Sequence, residues 1–221
     1  MPVNYLHSLL HRVERGWDPI PRSYAEQYAA FAGAETRPAL VDRIEAQLGG
    51  LAGKRVLDLG GGPGQYSVLF ALRGADVTWH DISREYEAIA RARAQAAGVA
   101  LSFSLGYLEA AERFQREPFD LVFCRVCWYY ARSDNAFARL LYSLVKPGGV
   151  GYIECNTPAF AKPAGVRKLQ YWINAHLWWK IGHPMPPRGR IARLMQGFPV
   201  SHLTLNYASE LVDIVTFVKP A

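Results

Sequence analysis

The run Val56-Leu57-Asp58-Leu59-Gly60-Gly61-Gly62-Pro63-Gly64-Gln65 constrains this chain more than any other part of it. Arg55–Leu59 reads as a strand, the glycine-rich stretch follows at once, and Tyr66–Arg73 continues with a helical pattern that Gly74 can end. A strand that feeds a helix through a glycine loop is half of a crossover unit. It predicts a parallel sheet with helices on its faces. Glycine permits a left-handed backbone and lets a ligand come close to the chain. The first N–H groups of the following helix are unpaired and carry partial positive charge.

The same alternation runs on. Asp76–His80 is a second strand closed by Asp81, and Ser83–Ala97 a helix with Ser83 as N-cap and Gly98 as stop. Leu101–Leu105 and Phe119–Cys124 are the third and fourth strands, the latter apolar enough to be buried on both faces. Asn135–Leu144 predicts a helix, Lys146-Pro147-Gly148-Gly149 a turn, and Val150–Cys155 a fifth strand. His202–Tyr207 and Leu211–Val218 lie close enough in sequence to form an antiparallel pair. The expected fold is α/β: a doubly wound, seven-stranded, mostly parallel sheet ending in a C-terminal antiparallel hairpin. One domain over 1–221 is expected, in four parts. These are an N-terminal helical cap (1–51), a core (54–155), a helical lid between strands 5 and 6 (157–198) and the closing hairpin (202–218).

Half of the residues are apolar and a fifth are charged, as in a globular domain with a real core. No apolar run approaches the roughly 20 residues that span a bilayer. Asn4, His7, His11 and Arg12 interrupt the N-terminus, so no signal peptide and a cytoplasmic location are expected. Three cysteines make no disulfide framework. Cys124 and Cys127 are expected inside a strand on opposite faces, as buried small hydrophobes; no metal site is expected. The net charge of +6 is uneven, because Asn156 to Ser209 holds no Asp or Glu and seven Lys or Arg.

The loop spacing excludes the usual dinucleotide pattern. G-x-G-x-x-G needs a glycine at position 65 or 67, where this chain has Gln65 and Ser67. Asp58, at the end of the first strand, would repel a pyrophosphate and attract a cation. Asp81 ends the second strand, where an acid accepts hydrogen bonds from a ribose diol.

Taken in order, VLDLGGGPGQYS, VTWHDIS, FDLVFCRVCWYY and LVKPGGVGYIE resemble the class I S-adenosylmethionine-dependent methyltransferases. The resemblance covers roughly residues 54–155 and 202–218. It implies S-adenosyl-L-methionine as cofactor. Gly60, Gly62 and Gly64, with Gln65, would wrap its methionine and ribose. Asp58 would face the amino group, Asp81 the ribose hydroxyls and Ile82 the adenine. The Arg125 backbone would lie along the methionine, and Tyr24 or Tyr28 would close over the cofactor. The family often carries Gly-Asp after the third strand. This chain has Gly106-Tyr107, so Tyr107 would stack or hydrogen-bond there, with Glu109 as a substitute.

A sulfonium donor arrives activated, so the protein has mainly to align the reactants, and needs a base only if the acceptor must lose a proton. The expected acceptor is a small organic molecule, largely aromatic or apolar and open to an acidic group, methylated at oxygen or nitrogen. Tyr129, His176 and His183 are the candidate bases, and Asn156 an alternative orienting group. The loop 182–190 offers Arg188 and Arg190 to a carboxylate or phosphate. Val166–Ile181 has wide apolar helical rows suited to a sheet edge, an acceptor pocket or peripheral membrane contact. Two alternatives stay open: methylation of tRNA or another RNA, using bases interleaved with Tyr171, Trp178 and Trp179, and a non-catalytic cofactor-binding partner subunit. The oligomeric state is not legible.

Overall fold

A computed structural model describes residues 9–157, 165, 168–169, 172–173, 183–209 and 211–221. Seven strands carry the fold: β1 (Arg55–Leu59), β2 (Asp76–Asp81), β3 (Ser102–Leu105), β4 (Phe119–Arg125), β5 (Val145–Asn156), β6 (His202–Ser209) and β7 (Val212–Val218). They lie in the order β3-β2-β1-β4-β5-β7-β6. The pairs among β1 to β5 are parallel, and β7 runs antiparallel to both β5 and β6. The expected doubly wound sheet with its terminal hairpin is present. Strand order reverses between β1 and β4, and a sheet of this kind opens a crevice there, at the carboxyl ends of the strands.

The described α-helices include α1 (Arg22–Ala34), α2 (Pro38–Leu48), α3 (Gln65–Leu72), α4 (Arg84–Ala96), α5 (Asp134–Leu144) and α6 (Arg190–Met195), and short 3-10 helices lie at Val13–Arg15, Leu108–Phe114 and Trp128–Tyr130. Alternation along the central strands builds two cores. Leu57, Leu59, Val122, Cys124 and Ile153 face Phe137, Leu141 and Met195 on one side. Val56, Leu121, Phe123 and Val150 face Leu40, Ile44 and Phe70 on the other. Asp58 shares the second face. The hairpin is keyed to the sheet at one point: Phe217 pairs in register with Gly151, where any Cβ would stand 2.2 Å from its ring.

Two expectations need correcting. The Lys146–Gly149 signal does not separate helix from strand. β5 begins at Val145, and its register jumps from Phe119↔Val145 to Leu121↔Val150. The turn chemistry survives as a bulge, with Gly148 at φ +74. The cysteine pair is also placed differently. β4 ends at Arg125, and Val126 takes φ +59, which swings Cys127 back beneath the sheet end. The two sulfurs lie 3.3 Å apart, both thiols free and buried, instead of on opposite faces.

The segment before α1 crosses the carboxyl ends of β2 and β3. Asp18 accepts from the N–H groups of Arg84 (2.6 Å) and Glu85 (3.2 Å), while Ser83 caps Tyr86 N–H at 3.2 Å. Arg84 reaches back to the Val13 and Trp17 carbonyls. Asp18→Ala removes the bridging acceptor and leaves two helix-terminal donors unpaired. We expect a loss of about 1–2 kcal/mol in urea unfolding; an unchanged midpoint would make the segment a passenger.

Candidate functional site

The glycine loop folds as it does because its surroundings leave no room for side chains. Gly60 (φ +78) faces Cys127, whose sulfur would lie 2.6 Å from an added Cβ. Gly61 abuts Trp79, and Gly64 (φ +78) abuts Ala90 of α4. Gly62, at φ +50, is different: nothing stands within 4 Å of its missing Cβ. Three glycines therefore serve packing, and the fourth opens the loop to the crevice. Trp79 braces the loop from below, donating from Nε1 to the Gly62 carbonyl at 2.9 Å.

Two carboxylates flank this loop. Asp81 accepts from Gly62 N–H and Ser83 N–H, each at 3.0 Å, so it ties the loop to the start of α4. Burial pushes its carboxyl up, against the pull of those two N–H groups. Asp58 is buried and accepts from the Ser67 hydroxyl at 2.5 Å. Burial, only partly offset by Ser67, raises its carboxyl to about 7. At the start of α3, Gln65 holds a buried Oε1 that has no hydrogen-bond partner among the described residues.

On the β4–β5 side lies a buried ionic group. Glu154 of β5 accepts from Arg37 on both oxygens (2.7 and 2.6 Å) and from the Tyr152 hydroxyl (2.8 Å). Arg125 Nε stands 3.0 Å from the same carboxylate, without hydrogen-bond alignment, and its guanidinium lies over the Tyr66 ring. A buried acid is held only where cations and donors compensate its lost hydration. A lone carboxylate in the apolar run Val150–Cys155 was the sequence signal for this cluster, although its partners were not legible.

Aromatic rings fill the rest of the mouth. Tyr24 stacks on Tyr28 (6.2 Å between centroids), Tyr28 leans on Tyr86 (5.8 Å), and Tyr130 meets Tyr129 (4.5 Å) and His183 (5.0 Å). Tyr24 and Tyr130 remain about half exposed.

The structure redistributes several expected roles. Tyr107 donates its hydroxyl to the His11 carbonyl (2.9 Å) and stacks on Trp17, so it anchors the N-terminal segment. Glu109 accepts from Arg132 N–H at 2.7 Å through one oxygen, while the other, 3.6 Å from Arg132 Nε, makes no hydrogen bond among the described residues. Tyr129 packs against the core, and burial pushes its phenol up. Arg188 and Arg190 are not spare cations: Arg190 pairs with Asp134 at 2.8 Å and Arg188 lies 3.8 Å from Asp213. The acids missing from their own segment come from α5 and β7. Ile82 follows Asp81 at the loop, and Asn156 closes β5 opposite Val212. His176 and most of Val166–Ile181 lie outside the described residues. Sequence reasoning missed Trp79, Arg37, Glu154 and Asp18.

Residues 56–149 match the family described as a methyltransferase domain. This stretch of the core is similar to a methyltransferase domain. Its first ten residues are the strand and glycine loop described above. A ubiquinone biosynthesis O-methyltransferase of Aeromonas salmonicida is 35% identical over 121 residues, 54% of this chain and 50% of that protein. The chain thus spans about half the length of the curated relatives it matches. An O-methyltransferase family protein from Burkholderia thailandensis superposes with a TM-score of 0.65 at 18% identity, over 90% of this chain and 60% of that one. The cyclase SpnF superposes at 0.60 with 16% identity, covering 83% and 81%. A cyclase on the same fold shows why activity must be argued from the site and not from the fold. Among the described residues no helix is long and apolar enough to cross a membrane.

Proposed function

We propose that this chain is an S-adenosylmethionine-dependent methyltransferase that methylates an oxygen of a small, largely aromatic or apolar acceptor. The observation that carries this reading is the loop itself: Gly62 has open space where a Cβ would stand and donates its N–H to Asp81, and Gln65 Oε1, three residues on, is buried without a hydrogen-bond partner among the described residues. A nucleoside amino acid fits that donor set. Asp81 would accept from ribose hydroxyls, with Ile82 beside the adenine. Gln65 Oε1 and Asp58 would face the ammonium, and the backbones of Gly60, Gly64 and Arg125 would line the same groove. When bound, S-adenosylmethionine supplies a methyl group on a sulfonium already activated for displacement. The protein's own part is then alignment and exclusion of water.

On the acceptor side, Tyr24, Tyr28 and Tyr130 offer aromatic faces, and His183 beside Tyr130 is the base we assign to an acceptor hydroxyl. The names of the curated relatives support oxygen as the methylated atom. The division into cap, core, acceptor segment and hairpin fits this reading, with 1–51 and 157–198 flanking the acceptor. The aromatic residues of the RNA reading, Tyr171, Trp178 and Trp179, lie outside the described residues, and Arg188 and Arg190 face acids of this chain.

Isothermal titration with S-adenosylhomocysteine tests the reading. Binding is expected, and its absence at millimolar ligand would sink it. The same titration at several pH values tests Asp58. Its folded carboxyl, raised to about 7, is protonated below that pH, so a ligand ammonium must displace the proton. Affinity is expected to rise with pH up to about 7 and level off above it. Asp58→Asn should abolish the rise, and a flat wild-type profile would remove Asp58 from the site.

A further inference from the structure

The crevice holds one cation whose pairing is incomplete. Glu154 offers one negative charge to two guanidiniums, Arg37 and Arg125, which leaves the cluster one positive charge in excess. Arg37 takes both carboxylate oxygens in hydrogen bonds. Arg125 has only an unaligned ion pair through Nε, and among the described residues its two terminal amino groups make no hydrogen bond. The side chain is four-fifths buried, so only a small part of it meets solvent. A guanidinium fork fixed at Nε and resting on the Tyr66 ring presents two parallel N–H donors.

Position decides what these donors are for. Arg125 is the last residue of β4 and pairs in register with Glu154 of β5, on the other side of β1 from Asp81 and β2. Its guanidinium lies over Tyr66 of α3, the helix that follows the glycine loop, and two residues on Cys127 packs against Gly60 of that loop. We propose that Arg125, positioned by Glu154, binds a carboxylate of the acceptor, so that the acceptor is an aromatic acid. Arg188 and Arg190, the cations expected to do this, are paired elsewhere. The proposal rests on the methyltransferase reading and narrows it: Tyr24, Tyr28 and Tyr130 hold the ring, and Arg125 sets its orientation relative to the donor.

The test compares two probes that differ only in the carboxylate, 3,4-dihydroxybenzoate and catechol, titrated into protein saturated with S-adenosylhomocysteine. The acid is expected to bind roughly 10-fold or more tightly than catechol, as for a hydrogen bond between charged partners. Arg125→Gln should erase that preference, bringing the ratio of the two affinities to about one. Arg125→Lys, which keeps the charge without the fork, should retain only part of it. No preference in the wild-type protein overturns the proposal without any variant being needed. So does a preference that survives Arg125→Gln. A third outcome also overturns it: Arg125→Gln weakens S-adenosylhomocysteine but not its decarboxylated analogue, which assigns the arginine to the donor's carboxylate. Failure of S-adenosylhomocysteine to bind at all is the separate failure of the methyltransferase reading.

Discussion

Asp81→Asn is expected to weaken S-adenosylhomocysteine binding roughly 100-fold or more, while the protein stays folded. The carboxylate has two jobs that one amide cannot do. Its oxygens accept from Gly62 N–H and Ser83 N–H, each at 3.0 Å, and their remaining lone pairs are the acceptors proposed for the ribose diol. An asparagine keeps one acceptor and turns an NH2 group toward a backbone N–H, so donor faces donor. The loop loses its tie to α4 and the ribose loses charged partners in one substitution. Titration calorimetry beside a urea unfolding curve separates these effects. Unchanged affinity would place the nucleoside elsewhere.

The second large effect is on stability. Gly60→Ala must hold an L-residue at φ +78 and put its Cβ 2.6 Å from the Cys127 sulfur and 2.7 Å from its Cβ. Left-handed backbone costs about 1–2 kcal/mol, and overpacking a filled site about 1–3 more. A loss of about 2–5 kcal/mol is therefore expected in urea unfolding. Gly62→Ala is the internal control: its φ is +50 but nothing stands near its Cβ. It should cost only the backbone strain and instead weaken donor binding, because the new methyl group points into the groove. If both variants lost stability equally, the division of the glycines into packing and ligand-facing positions would be wrong.

Much of this architecture was legible because its signals are local. The bounds of β1 and β2, the Ser83 cap and the closing hairpin follow from alternation, capping chemistry and chain spacing. What escaped was tertiary. Alternation misplaced Cys127 because it assumes a strand, and Val126 at φ +59 ends that strand by a single dihedral. The acid-free segment suggested spare cations, yet Asp134 and Asp213 come from elements 56 and about 25 residues away. Composition counts charges along a chain and is blind to partners that folding brings in. The same limit hid Glu154, whose two arginines come from before α2 and the end of β4. Asp58 and Asp81 were readable since each ends a strand beside the loop, where sequence position and spatial position nearly coincide.

The N-terminal segment also bears on the order in which the molecule assembles. Tyr107 meets the His11 carbonyl across 96 residues of chain, and Asp18 meets Arg84 across 66. Contacts so distant in sequence form slowly, because a large loop must close before they repay it. Neither can form until β1, β2 and β3 are made and paired. A chain emerging from the ribosome therefore carries residues 9–18 unattached while the sheet grows. The carboxyl ends of β2 and β3 are thus covered by residues made before them, and they are covered late.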